Sequence, residues 1–453
     1  MLEGLRGQRI VLLGMGREGQ STYVFLREHL PEQPLILADR ASLAELGADM
    51  RRIVESDTLV EFHSGDSHLD SLTQADVVFK SPGIPPSLPP IREAVAAGTR
   101  ITSNTALFLD LCTRPVIGIT GTKGKSTTTA VIHRVLRAGG IDAQLVGNIG
   151  IAPLSMLKHP ADVFVMELSS YQLLDITTGP QIAVLQNIVP EHLNYHGTFE
   201  AYVDAKANIA RYQTQNDMFV FNAAYPIPTQ IAGLTPASKW TFGLEGNFDC
   251  AVDSEGWIVL HGERVLHSMD VPLAGRFNLQ NVMPAVVIGH LHGLPGDITG
   301  AALRDFEPLA HRLALVAEVD GVRYVDDSLS TIPEATIAAM ETFSGAPLAL
   351  ILGGTDRGVD FTSLVRALTK RELRALVFFP PSGERIKAEL AAQMDGLPPN
   401  LTTGDMAEAV AFVRARTQPG DVVLLSPASP SYANFRDYRE RGSLFKQAAL
   451  RQV

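Results

Sequence analysis

Short apolar runs alternate with amphipathic stretches in the first hundred residues of the chain. The apolar runs cover 9–13, 35–38, 77–79 and 100–102, and a proline-dense loop at 81–86 separates the last two. Strands that alternate with helical patterns form βαβ units around a parallel sheet. Residues 1–103 are therefore predicted to fold as a Rossmann-like α/β domain.

The middle of the chain, 104–308, begins with a buried-strand run at 115–120. A glycine-rich turn follows, and then a helix pattern over 128–138. Short polar–apolar alternations over 232–272 indicate an antiparallel patch. This segment is predicted to be a central, P-loop ATPase-like mixed α/β domain.

Apolar runs of strand length return in the last third of the chain. They cover 322–325, 348–352, 376–379 and 422–425, again separated by helical patterns. Residues 309–453 are therefore predicted to form a second Rossmann-like domain. The whole chain is expected to be an α/β protein of three domains.

Composition excludes several classes of protein. The 453 residues include 38 Lys and Arg against 49 Asp and Glu, a formal net charge of −11. Nucleic-acid binding needs a basic footprint that this chain lacks. Cys112 and Cys250 are too few for a disulfide framework. The sequence shows no signal-peptide pattern and no apolar run near the ~18 residues of a membrane helix. We expect a soluble, cytoplasmic and monomeric protein with no membrane partner.

The turn between the 115–120 strand and the following helix has the chemistry of a phosphate-binding loop. Backbone N–H groups and a helix N-terminus can bind phosphate there. Lys125 would reach the terminal phosphates and Ser126 would bind Mg²⁺. The spacing departs from the standard motif, because Ile119 stands where its first glycine is expected. The predicted ATP-binding residues of the loop are Gly121, Thr122, Lys123, Gly124, Lys125, Ser126 and Thr127.

A second glycine-rich turn follows the first strand. Gly14, Gly16 and Gly19 have the dinucleotide-fingerprint spacing, and Asp39 ends the next strand. Alone, this pattern suggests an NAD-dependent dehydrogenase. A dehydrogenase has no need of a separate ATP loop, so a turn that binds a different diphosphate-linked nucleoside is favoured.

Three further residues are candidate metal ligands or catalytic groups. Glu167 ends the strand at 163–166, where a nucleotide magnesium ligand is expected. His192 follows the strand at 182–186. Lys206 lies on a predicted helix, 199–212; an amine offers no oxygen to Mg²⁺ unless carbon dioxide carbamylates it. Spacing alone would leave Lys206 a solvated helix lysine.

Together these motifs resemble the Mur ligases, the ATP-dependent amino-acid-adding enzymes of peptidoglycan precursor synthesis. The resemblance spans nearly the whole chain and is carried by 120–126, 147–150, 167–170, His192, 278–281, 311–312, 327–328 and 425–427. Within the family the chain most resembles the glutamate-adding ligase, which acts on UDP-N-acetylmuramoyl-L-alanine.

The resemblance implies a role for each motif. The first domain would bind the UDP end of the acceptor through the Gly14–Gly19 turn, with Arg17, Asp39 and Ser81. Lys125 and Ser126 would bind ATP and Mg²⁺, and Glu167 would hold the same ion. His192 and a carbamylated Lys206 would hold a second Mg²⁺. Further implied nucleotide contacts are Asn281, Arg312 and Asp327, and further substrate contacts are Asn148, Arg357, Ser431 and Tyr438.

Two positions in the third domain depart from the D-glutamate-adding pattern. Leu329 stands where that pattern has lysine, and Arg357 stands where a lysine for the substrate carboxylate is expected. Arginine grips a carboxylate bidentately, whereas lysine acts as a point charge. The chain therefore resembles a divergent branch that adds L-glutamate, with D-glutamate as the alternative.

Other classes fit the sequence less well. A folylpolyglutamate synthase-like enzyme would lack the first domain. The alanine-adding Mur ligase also has an N-terminal glycine turn, so L-alanine belongs in any amino-acid screen. A non-enzymatic sensor on the same fold would have little reason to keep Lys125, Glu167, His192 and Lys206 together.

Overall fold

The computed structural model describes residues 2–273 and 275–451. Their contacts divide the chain into two compact units, Met1–Val271 with Gln280–Phe306, and Pro272–Leu279 with Glu307–Val453. The first unit carries two separate sheets and the second carries one. The predicted α/β class with three sheet-bearing domains is confirmed.

The first sheet has five parallel strands in the order β3-β2-β1-β4-β5. Its strands are β1 (Ile10–Leu13), β2 (Leu35–Asp39), β3 (Val60–Ser64), β4 (Val77–Lys80) and β5 (Arg100–Thr102), and its helices are α1 (Arg17–His29), α2 (Leu43–Leu46), α3 (Ala48–Ser56), α4 (Pro89–Ala96) and α5 (Asn104–Leu111). Both faces of β1 are buried, which explains its unbroken apolar run.

The second sheet has nine strands in the order β14-β13-β12-β11-β10-β9-β6-β8-β7. They are β6 (Val116–Thr120), β7 (Ala143–Gly147), β8 (Val163–Glu167), β9 (Ile182–Leu185), β10 (Met218–Asn222), β11 (Ser238–Phe242), β12 (Cys250–Val252), β13 (Trp257–Leu260) and β14 (Glu263–His267). The helices of this segment are α6 (Lys125–Ala138), α7 (Ser170–Leu173), α8 (Leu193–His196), α9 (Phe199–Arg211), α10 (Pro226–Ala232), α11 (Phe277–Leu291) and α12 (Gly296–Arg304).

Two predictions for this segment need correction. Only β12, β13 and β14 pair antiparallel; β11 runs parallel to both its neighbours, so the antiparallel patch is shorter than predicted. Helix α6 begins at Lys125, three residues before the predicted start. Its N-cap Gly124 has left-handed backbone angles, which lets the chain enter the helix directly from the turn.

The third sheet, in the second unit, has the order β15-β16-β20-β17-β18-β19. Its strands are β15 (Ala314–Val319), β16 (Val322–Asp326), β17 (Leu348–Gly353), β18 (Leu373–Phe379), β19 (Asn400–Thr402) and β20 (Val422–Leu425), and its helices are α13 (Pro333–Thr342), α14 (Thr362–Leu368), α15 (Ser382–Ala391), α16 (Met406–Arg414) and α17 (Tyr438–Leu450). Buried apolar clusters cover both faces of the central strands. The edge strands β3, β15 and β19 were not predicted; all their residues are partly or fully exposed.

Over 2–273 and 275–451, no helix combines the length and apolar character that a bilayer crossing requires.

Candidate active site

The glycine turn after β1 is forced into its shape by close packing. Gly14 has φ +89°, and a Cβ there would lie 2.8 Å from Ser81 Oγ. A Cβ on Gly19 would overlap the carbonyl oxygen of Gly14. Ser81 Oγ donates to that same carbonyl at 2.7 Å, and Asp39 Oδ2 accepts from the Met15 N–H at 2.6 Å. The turn leads into the N-terminus of α1, where a diphosphate can accept backbone N–H donors.

Arg17, predicted to bind substrate, also contacts the segment that follows β7. Its guanidinium donates to the carbonyl oxygens of Gly147 and Gly150, each at 3.0 Å. Gly16, which precedes it, is the N-cap of α1. The structure thus joins the predicted diphosphate turn to the 147–150 loop within the first unit.

The loop after β6 has the geometry expected of a phosphate-binding turn. Gly121 and Gly124 have φ of +151° and +84°. The N–H of Thr122 donates to the Asn187 carbonyl at 2.7 Å, which fixes the loop against the end of β9. A Cβ on Gly124 would overlap the side chain of Asn281, so this predicted nucleotide residue does reach the loop. Ser126 and Thr127 lie in the first turn of α6.

Two lysines give the loop its positive charge. Lys125 Nζ donates to the carbonyl oxygens of Gly121 and Thr122 at 3.1 and 2.9 Å, so the side chain folds back over the loop. Lys123 Nζ lies 2.9 Å from Glu191 Oε1. Burial raises the pKa of Glu191, but the charges of Lys123 and Lys125 outweigh it and hold that pKa below its usual value. The carboxylate therefore stays ionised beside the loop.

Glu167 is almost completely buried, 1% exposed, at the end of β8. Its Oε1 accepts from Asn148 Nδ2 at 2.6 Å. Its Oε2 is buried and has no hydrogen-bond partner among the residues that the structure describes. Leaving a carboxylate oxygen buried and unpaired is costly. This oxygen therefore fits the magnesium ligand that the sequence predicts, since hard cations prefer carboxylate oxygens.

His192 and Lys206 lie beside the same loop. His192 is the N-cap of α8, with a positive φ of 56°, and burial lowers its pKa. Lys206 Nζ donates to the Gly121 carbonyl at 2.8 Å and lies 3.3 Å from Thr120 Oγ1. Burial, and then the charge of Lys125, lower the pKa of Lys206 well below its ordinary value. A lysine in this setting is readily neutral and able to react as an amine.

The predicted second metal pair depends on that chemistry. In the part of the chain that the structure describes, no three His, Cys, Asp or Glu side chains converge as a metal site. His192 alone would be a poor site for a hard cation, which prefers oxygen. A carbamate on Lys206 would add the anionic oxygens that Mg²⁺ prefers.

A cluster of aromatic and histidine side chains near His192 was missed by the sequence analysis. Tyr195 donates its hydroxyl to the Pro82 carbonyl at 2.7 Å, so α8 contacts the proline-dense loop after β4. His196 Nε2 lies 3.0 Å from Ser170 Oγ, and burial lowers the pKa of His196 to about 4. The density of aromatic and histidine residues just after His192 was the available signal.

The second unit brings together the loops that follow β16 and β20. Asp327 is 3% exposed, and its Oδ2 accepts from Ser426 Oγ at 2.8 Å. Burial raises the pKa of Asp327 to about 6, against the opposing charge of Arg312. The charge of Arg312 acts on Asp327, so these two candidate nucleotide residues lie near each other. His311 Nδ1 lies 2.7 Å from Asp326 Oδ2.

Buried Arg441, which the sequence analysis missed, ties the same loops together. It donates to the carbonyl oxygens of Ser328 and Ser429 at 2.7 and 3.1 Å. Of the predicted substrate contacts, Ser431 is buried, Tyr438 half-buried and Arg357 exposed. Their contacts with substrate, and those of Arg312 and Asp327 with nucleotide, stay predictions.

Three protein-family models match the chain. They are the Mur ligase MurD-like N-terminal domain over 8–103, the Mur ligase middle domain over 119–289, and the Mur ligase glutamate ligase domain over 311–429. Together they follow the three sheets in chain order.

Curated relatives align over nearly the whole chain. The UDP-N-acetylmuramoyl-L-alanine–L-glutamate ligase of Salinispora tropica is 35% identical, with 99% of this chain and 98% of the relative covered. The UDP-N-acetylmuramoylalanine–D-glutamate ligase of Geobacillus kaustophilus is 34% identical, with 97% of each covered. Among solved structures, the MurF ligase of Thermotoga maritima in complex with ADP has a TM-score of 0.60 at 19% identity, covering 99% of this chain and 96% of that one. At that identity the match supports the fold alone.

Proposed function

This chain belongs to the Mur ligase family, and on that premise we propose that it joins glutamate to UDP-N-acetylmuramoyl-L-alanine in peptidoglycan precursor synthesis. ATP would supply the energy and leave as ADP and phosphate. The observation that carries the proposal is Oε2 of Glu167, which is buried without a partner among the described residues, in the same unit as the phosphate-binding loop. We also propose a cytoplasmic location, where ATP and nucleotide sugars are available.

The first step would be attack of the acceptor's alanyl carboxylate on the γ-phosphate, which forms an acyl phosphate as the bond from the γ-phosphorus to ADP breaks. Both reactants are anionic, so positive charge must be present before they can approach. Lys125, at the N-terminus of α6, supplies part of it. Mg²⁺ bound by Ser126 and Glu167 would supply the rest by withdrawing charge from the phosphate oxygens.

The second step would be attack of the glutamate amine on the acyl phosphate. The new C–N bond forms as the phosphate leaves, and the amine loses its proton. Acyl phosphates hydrolyse readily, so the reaction needs water to be excluded. His192 lies beside the loop, and we propose it as a metal ligand and not as the base.

We propose L-glutamate as the amino acid added. Leu329 and Arg357 replace the lysines of the D-glutamate pattern, and relatives that use L-glutamate align as well as those that use D-glutamate. A planar guanidinium at Arg357 would bind a carboxylate in a fixed orientation. Such a contact could favour one enantiomer.

The test supplies ATP, Mg²⁺, UDP-N-acetylmuramoyl-L-alanine and, in separate reactions, L-glutamate, D-glutamate or L-alanine. Phosphate release and the amide product are both measured. We expect product with L-glutamate, little with D-glutamate and none with L-alanine. Equal or greater turnover with D-glutamate would overturn the choice of enantiomer. A Lys125→Ala control should release no phosphate with any of them.

A further inference from the structure

The first turn of α1 is hydrogen-bonded to both loops that flank Glu167. On one side, the Arg17 guanidinium donates to the carbonyl oxygens of Gly147 and Gly150 at 3.0 Å, with a longer contact of 3.4 Å to that of Asn148. These carbonyls belong to the loop that follows β7. Arg17 therefore holds the backbone that presents the Asn148 side chain.

Asn148 connects this loop to the carboxylate of Glu167. Its backbone N–H donates to the Glu167 carbonyl at 3.0 Å, and its Nδ2 donates to Glu167 Oε1 at 2.6 Å. The second bond leaves Oε2 as the oxygen available to a ligand. The position of Asn148 thus sets the orientation of Glu167.

On the other side, Glu18 reaches the loop after β8. Its Oε1 accepts from Gln172 Nε2 at 2.8 Å. Gln172, itself 1% exposed, accepts through Oε1 from the Ser169 N–H at 3.0 Å. Ser169 lies two residues after Glu167, so this second connection fixes the other flank of the carboxylate.

The charge of Glu18 is out of place for a turn that only binds a diphosphate. A carboxylate near the N-terminus of α1 would repel a second anion bound there. Its bond to Gln172 supplies a different reason for a hydrogen-bond acceptor at this position. Arg17 and Glu18 are adjacent on one helical turn and bond to the loops on either side of Glu167. A small shift of that turn would therefore change the position of the Glu167 carboxylate.

We propose that Arg17 and Glu18 are positioning residues for Glu167, which hold its free oxygen in the orientation needed to bind Mg²⁺ with a nucleotide. The inference rests on the proposed function, since that function gives Glu167 its metal. The inference extends that function, because it gives two residues of α1, in the segment proposed to bind the acceptor, a role in the nucleotide site. Residues that orient a metal ligand typically change metal affinity 10- to 100-fold when removed.

The test measures binding, not turnover. A non-hydrolysable ATP analogue is titrated by calorimetry at a series of Mg²⁺ concentrations, with wild type, Arg17→Ala, Glu18→Ala and Glu18→Gln. Both alanine variants should need about 10-fold more Mg²⁺ for half-maximal analogue binding. Glu18→Gln keeps an oxygen that accepts from Gln172, so it should stay near wild type. Glu28→Ala, an exposed acid at the other end of α1, is the matched control.

Binding of UDP alone separates positioning from a general loss of structure. Glu18→Ala should bind UDP at least as tightly as wild type, because it removes a negative charge beside the turn. If both alanine variants show the wild-type Mg²⁺ dependence, the inference is wrong although the proposed function stands. If Mg²⁺ has no effect on binding of the analogue to wild type, both the proposed function and the inference are wrong.

Discussion

Lys80 Nζ lies 3.2 Å from Asp175 Oδ2, and the two side chains are 0% and 8% exposed. Lys80 ends β4 in the first sheet, and Asp175 follows α7, which belongs to the segment of the second sheet. The pair therefore joins the two halves of the first unit through a charge contact shielded from water. Burial raises the pKa of Asp175, and the charge of Lys80 opposes that rise without cancelling it.

Removing Lys80 alone should destabilise the first unit strongly. Lys80→Met would leave Asp175 buried without its counter-ion, and such a loss typically costs about 3–5 kcal/mol. The Lys80→Met/Asp175→Leu double variant should recover most of that loss, because apolar replacement of a buried ion pair is often neutral. Urea denaturation of wild type, Lys80→Met, Asp175→Leu and the double variant gives the coupling free energy between the two side chains.

Lys158→Met serves as the control, since the pair of Lys158 with Glu28 is more than half exposed. Exposed pairs contribute about 0–1 kcal/mol. A double variant as unstable as the sum of the single variants would show that Lys80 and Asp175 do not depend on each other.

Lys206 should need carbon dioxide for its function. Its lowered pKa makes the neutral amine accessible, and only the carbamate offers oxygen to a metal. Wild-type ADP formation should therefore fall in buffer depleted of carbon dioxide and return when bicarbonate is added. Lys206→Met should be inactive under both conditions. Unchanged activity after depletion, together with an active Lys206→Met, would contradict the proposed carbamate.

The sequence predicted the buried strands β1 and β20 well and the edge strand β3 poorly. Strand β1 and strand β20 carry unbroken apolar runs because helices cover both faces of their sheets. Strand β3 alternates only weakly between partly buried and exposed positions, so its pattern resembles a loop. The physical reason is that an edge strand gains less from burial and tolerates polar residues.

The candidate site could also be predicted only in part. The loop at 120–127 could be predicted, because a phosphate needs local backbone geometry that the sequence encodes within a few residues. Contacts such as Lys80 with Asp175, or Glu18 with Gln172, join residues far apart in the chain. Nothing local marks one partner for the other, so only the folded structure could reveal them.

The stability of the second unit should change with pH through Asp327. Burial raises its pKa from 3.8 to about 6, so the folded state holds this proton more tightly than the unfolded chain. Its contribution to stability is therefore fully present below pH 3.8 and is lost as the pH rises through about 6. Relative to Asp327→Asn, the free energy of unfolding of wild type should decrease by on the order of 3 kcal/mol across that window.

Denaturation of wild type and Asp327→Asn at several pH values measures that difference directly. The variant removes the titrating group but keeps an oxygen that can accept from Ser426. If plots of unfolding free energy against pH for the two proteins stay parallel from acid to neutral pH, Asp327 titrates in the same way in the folded and unfolded states.

Arg357 provides the sharpest test of how the amino acid is recognised. It is exposed in the loop after β17, where a guanidinium can form two parallel bonds to one carboxylate. Arg357→Lys keeps the charge but loses that bidentate geometry, so we expect about a 10-fold higher KM for L-glutamate, equal to about 1.4 kcal/mol, with an unchanged KM for ATP. The preference for L- over D-glutamate should shrink at the same time, because a point charge fixes the orientation of the carboxylate less strictly. Arg366→Lys, exposed on α14, is the matched control. A KM for L-glutamate that does not change in Arg357→Lys would remove Arg357 from the amino-acid site.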